Sequence, residues 1–267
     1  MLRTISYSVR RMATSSVDQN LKLHWVRPPG PKKVYKIING IRRDKDGDKP
    51  VKLRFQEIPE DRYEDALNHM LKYFLKDEPM CKSLGLLNNE QAKKDFSLLW
   101  KIAFQQGIGI AAFVDDSTTQ KPEIAGMNAL FVMTKEDDNT INKVQWSSEA
   151  EIVLKMNTML AKEANLYEKF GCDKYLSALG LSVLPAFRGQ ALGEKLLAIR
   201  DNVGKEYNIS HTATMFTSII SQKSASHAGF KVEVEKNYSD LVDKEGKLLF
   251  PGITDTKTLQ IMVKKIN

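Results

Sequence analysis

Apolar residues recur along this chain with two periods, and the switches between them mark out its elements. Residues 51–58 alternate in the manner of a first strand. Pro59 then opens a helical stretch to about residue 76, with Leu67, Met70, Leu71 and Phe74 on one stripe. Pro79 ends it, because a proline pushes the residue before it out of the helical region. A second helix is predicted over 89–106, with Phe96, Leu99, Trp100 and Ala103 inward and Gly107 as its stop. Residues 109–114 and 123–133 predict two antiparallel strands, joined by the polar loop DDSTTQKP.

A third helix is expected from the capping box Ser148-Glu149-Ala150-Glu151 to Gly171, with Val153, Met156, Leu160 and Tyr167 on its apolar face. Residues 175–183 alternate cleanly, so Tyr175, Leu179, Leu181 and Val183 should face one way. The run PAFRGQALG follows, and then a helix with Leu192, Leu196, Ile199 and Val203 at helical spacing. Residues 212–217 read as a strand, 219–228 as a short helix, and 230–236 and 258–264 as strands. This order implies an α+β or mixed α/β domain with a central sheet over 51–267. Before it come a Pro-, Gly- and charge-rich basic arm, 20–50, and a flexible tail, 1–19.

The chain carries a net charge of +7 and a pI near 9.2. Between Arg27 and Arg54 lie ten basic residues and three acids, a surplus equal to that of the whole chain. The rest is neutral in sum. Acids interleave the basic run in RRDKDGDK, and no helix-turn-helix, zinc-finger or RNP pattern accompanies it, so nucleic acid is not expected as a partner. No apolar run approaches the roughly 18 residues of a membrane helix. Two cysteines, Cys81 and Cys172, suit reduced thiols in the cytoplasm. Residues 1–19 have three arginines, many hydroxyls and no acid before Asp18, which fits a mitochondrial transit peptide as the alternative location. No Cys/His cluster has zinc spacing, so no metal is expected.

The strongest chemical signal is the strand-turn-helix LGLSVLPAFRGQALGEKLL. Gly189 and Gly193 let the backbone turn, leaving the amides of residues 189–193 as orphan donors at a helix N-terminus. That geometry suits phosphate or pyrophosphate. It is neither a Walker A loop nor a Rossmann fingerprint, because no Gly-Lys-Ser/Thr follows and Arg188 occupies the first glycine position.

Arg188-Gly189-Gln190-Ala191-Leu192-Gly193 resembles the R/Q-x-x-G-x-G/A loop of GNAT acetyltransferases. Tyr73-Phe74-Leu75-Lys76-Asp77-Glu78-Pro79 resembles the F-x-x-D-E-P segment of the insect arylalkylamine N-acetyltransferase-like group. Thr217-Ser218-Ile219-Ile220-Ser221, before Ala228-Gly229-Phe230, resembles that group's hydroxyl-bearing segment. The resemblance implies a twisted, mostly antiparallel central sheet with helices on both faces, and acetyl transfer from acetyl-coenzyme A to a small arylalkylamine or related amine. It implies that Arg188, Gly189, Gln190, Ala191, Leu192 and Gly193 hold the pyrophosphate, with Leu181, Ser182 and Val183 pairing with the pantetheine arm. Glu78 becomes the general base, at a helix exit, with Asp77 as the fallback. Ser221 and Thr217 serve the leaving group and the substrate.

Two departures stand out. Ala191 replaces a glycine of the loop, and Ala225 stands where many GNAT enzymes place a tyrosine acid. They motivate an alternative, a catalytically weak domain that binds coenzyme A as a sensor or scaffold. A second alternative is an N-acyltransferase using longer acyl chains, with Met127 and Phe131 as candidate acyl-pocket residues. His69 is expected to be structural, and His211 and His227 are candidate proton shuttles. Oligomeric state is not legible.

Overall fold

The computed structural model describes residues 21–116, 119–137 and 144–266; the tail read as a possible transit peptide lies outside the described residues. The strands are β1 (Val34–Asp44), β2 (Gly47–Glu57), β3 (Ile110–Val114), β4 (Ile124–Thr134), β5 (Lys174–Val183), β6 (His211–Phe216), β7 (Lys231–Asn237) and β8 (Thr258–Lys265). They form one sheet in the order β1-β2-β3-β4-β5-β6-β8-β7, antiparallel except between β5 and β6. The helices are α1 (Tyr63–His69), α2 (Leu75–Asp77), α3 (Pro79–Ser83), α4 (Glu90–Phe104), α5 (Ser148–Ala164), α6 (Leu166–Phe170), α7 (Leu192–Glu206) and α8 (Ile219–His227). One face of the sheet packs Phe113, Met127 and Tyr175 against Leu67, Trp100 and Met156 of α1, α4 and α5. The other packs Phe55, Leu130 and Leu176 against Leu196, Ile199 and Val203 of α7.

The arm expected over 20–50 is not a mere lead-in, because from Val34 it forms a strand of the sheet. β1 pairs with β2 from Val34↔Gln56 to Asp44↔Gly47, around the turn Lys45–Asp46. Tyr35, Ile38 and Val51 supply its apolar side. The charges that hid this period are paired: Lys49 of β2 meets Asp44 of β1 at 3.3 Å, and Arg42 meets Glu123, just before β4, at 2.9 Å. Further upstream, Arg27 donates to the buried Glu57 carboxylate at 2.8 Å, which also accepts from the hydroxyls of Tyr35 and Tyr207.

Two expected helices are broken. The stretch from 59 to 76 contains α1, a π-helical segment (Met70–Phe74) and α2. The helix expected to reach Gly171 stops at Ala164, because Asn165 turns left-handed at φ 44°. The predicted capping box at Ser148 is absent as well. Ser147 is the N-cap, its amide donating to Asp95 at 2.7 Å, and Ser148 bonds Glu149 instead.

The alternation predicted for β5 also fails, for a reason that shapes the site. A bulge shifts the β4–β5 register between Asn128 and Leu130. An extra residue reverses the phase of a strand. Tyr175 and Leu179 therefore face the α4–α5 side, and Leu181 and Val183 the α7 side. Gly180 sits in the bulge at φ 105°. A Cβ there would lie 2.5 Å from the Phe74 ring and 2.9 Å from Met70 Cε, so only glycine lets the π-helical segment approach.

Candidate active site

β5 and β6 run parallel but pair at the single register Leu176↔Thr212. Beyond that point they splay, and a cavity of about 620 Å³ opens between them. Residues 178–183 form one wall and 214–218 the other. At one end lies the loop before α7, and at the other lie Tyr73, Phe74, Asp77, Glu78 and Phe96.

The loop is built by a single turn, Pro185–Phe187, then extended Arg188 and left-handed Gly189 at φ 74°. Ala191 is also left-handed, at φ 56°, a conformation that strains any residue with a Cβ. The amides of residues 189–194 have no intramolecular acceptor among the described residues. They sit at the positive end of α7.

Two side chains of the loop depart from expectation. Gln190 does not line the cavity: its amide group clamps β1, accepting from the Ile41 amide at 2.9 Å and donating to the Ile41 carbonyl at 2.7 Å. Arg188 does line it, but is ion-paired with Asp77 and donates to the Val183 carbonyl at 3.0 Å. A different cation reaches the loop. Arg43 of β1 donates to the Arg188 carbonyl, its guanidinium 3.7 Å from where a Gly189 Cβ would stand. In sequence Arg43 belongs to the charged arm; only the pairing of β1 with β2 brings it to this loop.

Glu78 stands at the exit of α2, as expected, and serves a second helix as well. It is the N-cap of α3, with extended backbone and Pro79 at the first helical position. Oε2 accepts from the Cys81 amide at 2.6 Å. Oε1 is buried with no partner, and the residue is only 9% exposed. Cys81 lies beside it in the cavity wall, and burial, with Glu78 nearby, pushes its thiol up. Tyr238, which was not anticipated, donates to the Thr217 carbonyl at 2.8 Å; burial first, then Glu78, raises its hydroxyl.

Thr217 and Ser221 both line the cavity, opposite β5. Ser221 is tied into a capping box: it accepts from the Ser218 amide at 3.2 Å and donates to the Ser218 carbonyl at 2.8 Å. Ala225 is fully buried in α8. Neither His211, stacked on Phe170 at 4.6 Å, nor His227, near Glu194 at 3.2 Å, borders the cavity. Met127 is core, and Phe131 lines a smaller cavity of about 200 Å³ that shares Leu99, Leu154, Asn157 and Leu179 with the larger one. Among the described residues, no group of three or more His, Cys, Asp or Glu side chains is placed to hold a metal.

The chain matches no protein-family model and no curated protein sequence. Solved structures do match. A putative arylalkylamine N-acetyltransferase 7 from the yellow fever mosquito Aedes aegypti is 29% identical, with a TM-score of 0.80 over 91% of this chain and 100% of that one. Arylalkylamine N-acetyltransferase 2 from Aedes aegypti is 26% identical, with a TM-score of 0.69 over 80% of this chain and 99% of that one. A polyamine N-acetyltransferase of Drosophila melanogaster, 16% identical over 86% of this chain and 100% of that one, shares the fold at a TM-score of 0.62.

Proposed function

We propose that this chain, an acyl-coenzyme A-dependent N-acetyltransferase of the GNAT fold similar to the insect arylalkylamine enzymes, acetylates a small arylalkylamine or related amine by direct transfer. The observation that carries this proposal is one buried carboxylate oxygen, Glu78 Oε1, lacking a partner in a cavity whose other end is ringed by unsatisfied amides. Coenzyme A suits that arrangement: unsatisfied amides take a pyrophosphate, and the open edge of β5 beyond Leu176 takes an amide-bearing arm.

Acetyl-coenzyme A supplies an acetyl group activated as a thioester. The amides of residues 189–194 hold its pyrophosphate, and the backbone of Leu181, Ser182 and Val183 orients its arm. At the far end Glu78 meets the amine, which is protonated at neutral pH, with a pKa of about 10. Oε1 takes that proton, directly or through one water, and frees the nitrogen lone pair. A backbone N–H of β5 polarises the thioester carbonyl. Thr217 bounds the acceptor, and Ser221 contributes its dipole, since its proton is held by Ser218. Tyr73, Phe74 and Phe96 suit an aryl group, while Glu78 and Asp255 suit the ammonium. The two buried free thiols support a reducing, cytoplasmic setting.

A second proposal, a domain that binds coenzyme A with little turnover, is favoured by strained Ala191 and by the buried methyl at Ala225. The test is thiol release from acetyl-coenzyme A with a panel of arylalkylamines and polyamines, beside calorimetric binding of coenzyme A. Amine-dependent release supports the enzyme; tight binding without release supports the second proposal; neither overturns both. Longer acyl donors in the same panel test whether the smaller cavity takes part.

A further inference from the structure

Arg200 of α7 is a charged group that the steps above leave unused. It is 1% exposed and lines the cavity, yet no carboxylate pairs with it among the described residues. Nε donates to Asn128 Oδ1 at 2.9 Å, and Nη1 donates to Thr212 Oγ1 at 3.2 Å and Thr214 Oγ1 at 2.7 Å. The Phe230 ring centre lies 5.5 Å from its guanidinium carbon. Burial pulls the guanidinium down to about 9, leaving it charged at neutral pH.

These contacts place the cation at the apex of the splay. Thr212 is the β6 residue paired with Leu176, and Thr214 is two residues into the opening. Asn128 also donates to the Gly180 carbonyl at 2.8 Å, in the bulge of β5. The other titratable or charged groups lining the cavity are Tyr73, Asp77, Glu78, Cys81, Arg188 and Asp255. Asp77 is taken by Arg188 and Glu78 caps α3. Next to Arg200 on α7, Asp201 is taken by Lys264 at 2.6 Å. A cation buried among neutral groups is costly unless a negative charge joins it.

We infer that Arg200 is the electrostatic partner of the coenzyme A sulfur as it leaves, which rests on the coenzyme A proposal above. When the amine nitrogen bonds to the acetyl carbon, the carbon–sulfur bond breaks and sulfur keeps the electron pair. The ammonium loses two protons: Glu78 takes the first before attack, and the second passes from the nitrogen to water as the amide forms. With Ala225 in the usual acid position, no proton reaches sulfur in the cavity. The guanidinium holds the thiolate by charge, and the thiolate takes a proton from solvent on release.

The experiment compares calorimetric affinities of the full-length chain for coenzyme A and desulfo-coenzyme A between about pH 6.5 and 9, across which a thiol gains its charge. Groups such as Glu78, Cys81 and Asp255 act on both ligands, so they cancel in the affinity ratio. In the unsubstituted chain that ratio should rise about tenfold with pH, one unit of thiol pKa. Arg200→Met should abolish the rise while binding the desulfo ligand, and Arg200→Lys should keep part of it. A pH-independent ratio in the unsubstituted chain overturns the inference, and does so even if Arg200→Met fails to fold. A full rise in a folded Arg200→Met also overturns it. Binding of neither ligand overturns the coenzyme A proposal itself.

Discussion

Asp77 and Arg188, 111 residues apart in the chain, close an ion pair across the mouth of the cavity. Each is nearly half exposed, so the pair adds at most about 1 kcal/mol. Its consequence is for binding, because the guanidinium beside the phosphate loop is already neutralised. Arg188→Ala should therefore change coenzyme A affinity less than about threefold. Arg43→Ala, which removes a charge at Gly189 paired only loosely, with Asp48 at 4.0 Å, should weaken it by about three- to tenfold, an effect that fades at high salt. Calorimetry of both variants at two ionic strengths separates them.

Ala191 holds a left-handed conformation in which its Cβ costs about 1–2 kcal/mol. Glycine removes that strain but adds unfolded-state entropy worth about 0.4–1 kcal/mol. Ala191→Gly should thus gain about 0.5–1 kcal/mol, raising Tm by about 1–3 °C in a chain of this size. Ala191→Val should lower Tm. Calorimetric melting checks both signs.

Glu78→Gln should lower kcat/KM at neutral pH by about 10²–10⁴-fold. The loss should shrink as pH rises toward the amine's own pKa of about 10, where the acceptor needs no base. Equal loss at every pH would count against proton removal by Glu78. The same variant weakens the cap of α3 by about 0.5–2 kcal/mol, so its Tm must be measured beside its rate.

Buried His69, with an unpartnered Nε2, has its pKa lowered to about 4, chiefly by burial. The folded value lies below the unfolded 6.5, so its contribution is fully present above about pH 6.5. It is lost as pH falls toward 4, amounting to about 3 kcal/mol. Denaturant unfolding from pH 7 to 4 should show this decline, and His69→Gln, neutral throughout, should flatten it.

Local chemistry alone determined much of this protein. Period-3.6 stripes marked α4 and α7, apolar runs on either side of a polar loop marked β3 and β4, and the glycines at 189 and 193 marked the loop between β5 and α7. The Asp-Glu-Pro and serine segments lie at one end and along one wall of a single cavity. Tertiary structure decided the rest. β1 is a strand because β2 pairs with it, and its own charges conceal the period. The bulge that turns Leu181 and Val183 away from Leu179 is a mismatch in pairing with β4, invisible in β5 alone. Whether Arg188 is free, Gln190 faces the cavity or Arg200 lacks a counter-charge depends on partners that lie far away in the chain. Periodicity reports which face of an element is apolar; it does not report what that face, or a charge beside it, will meet.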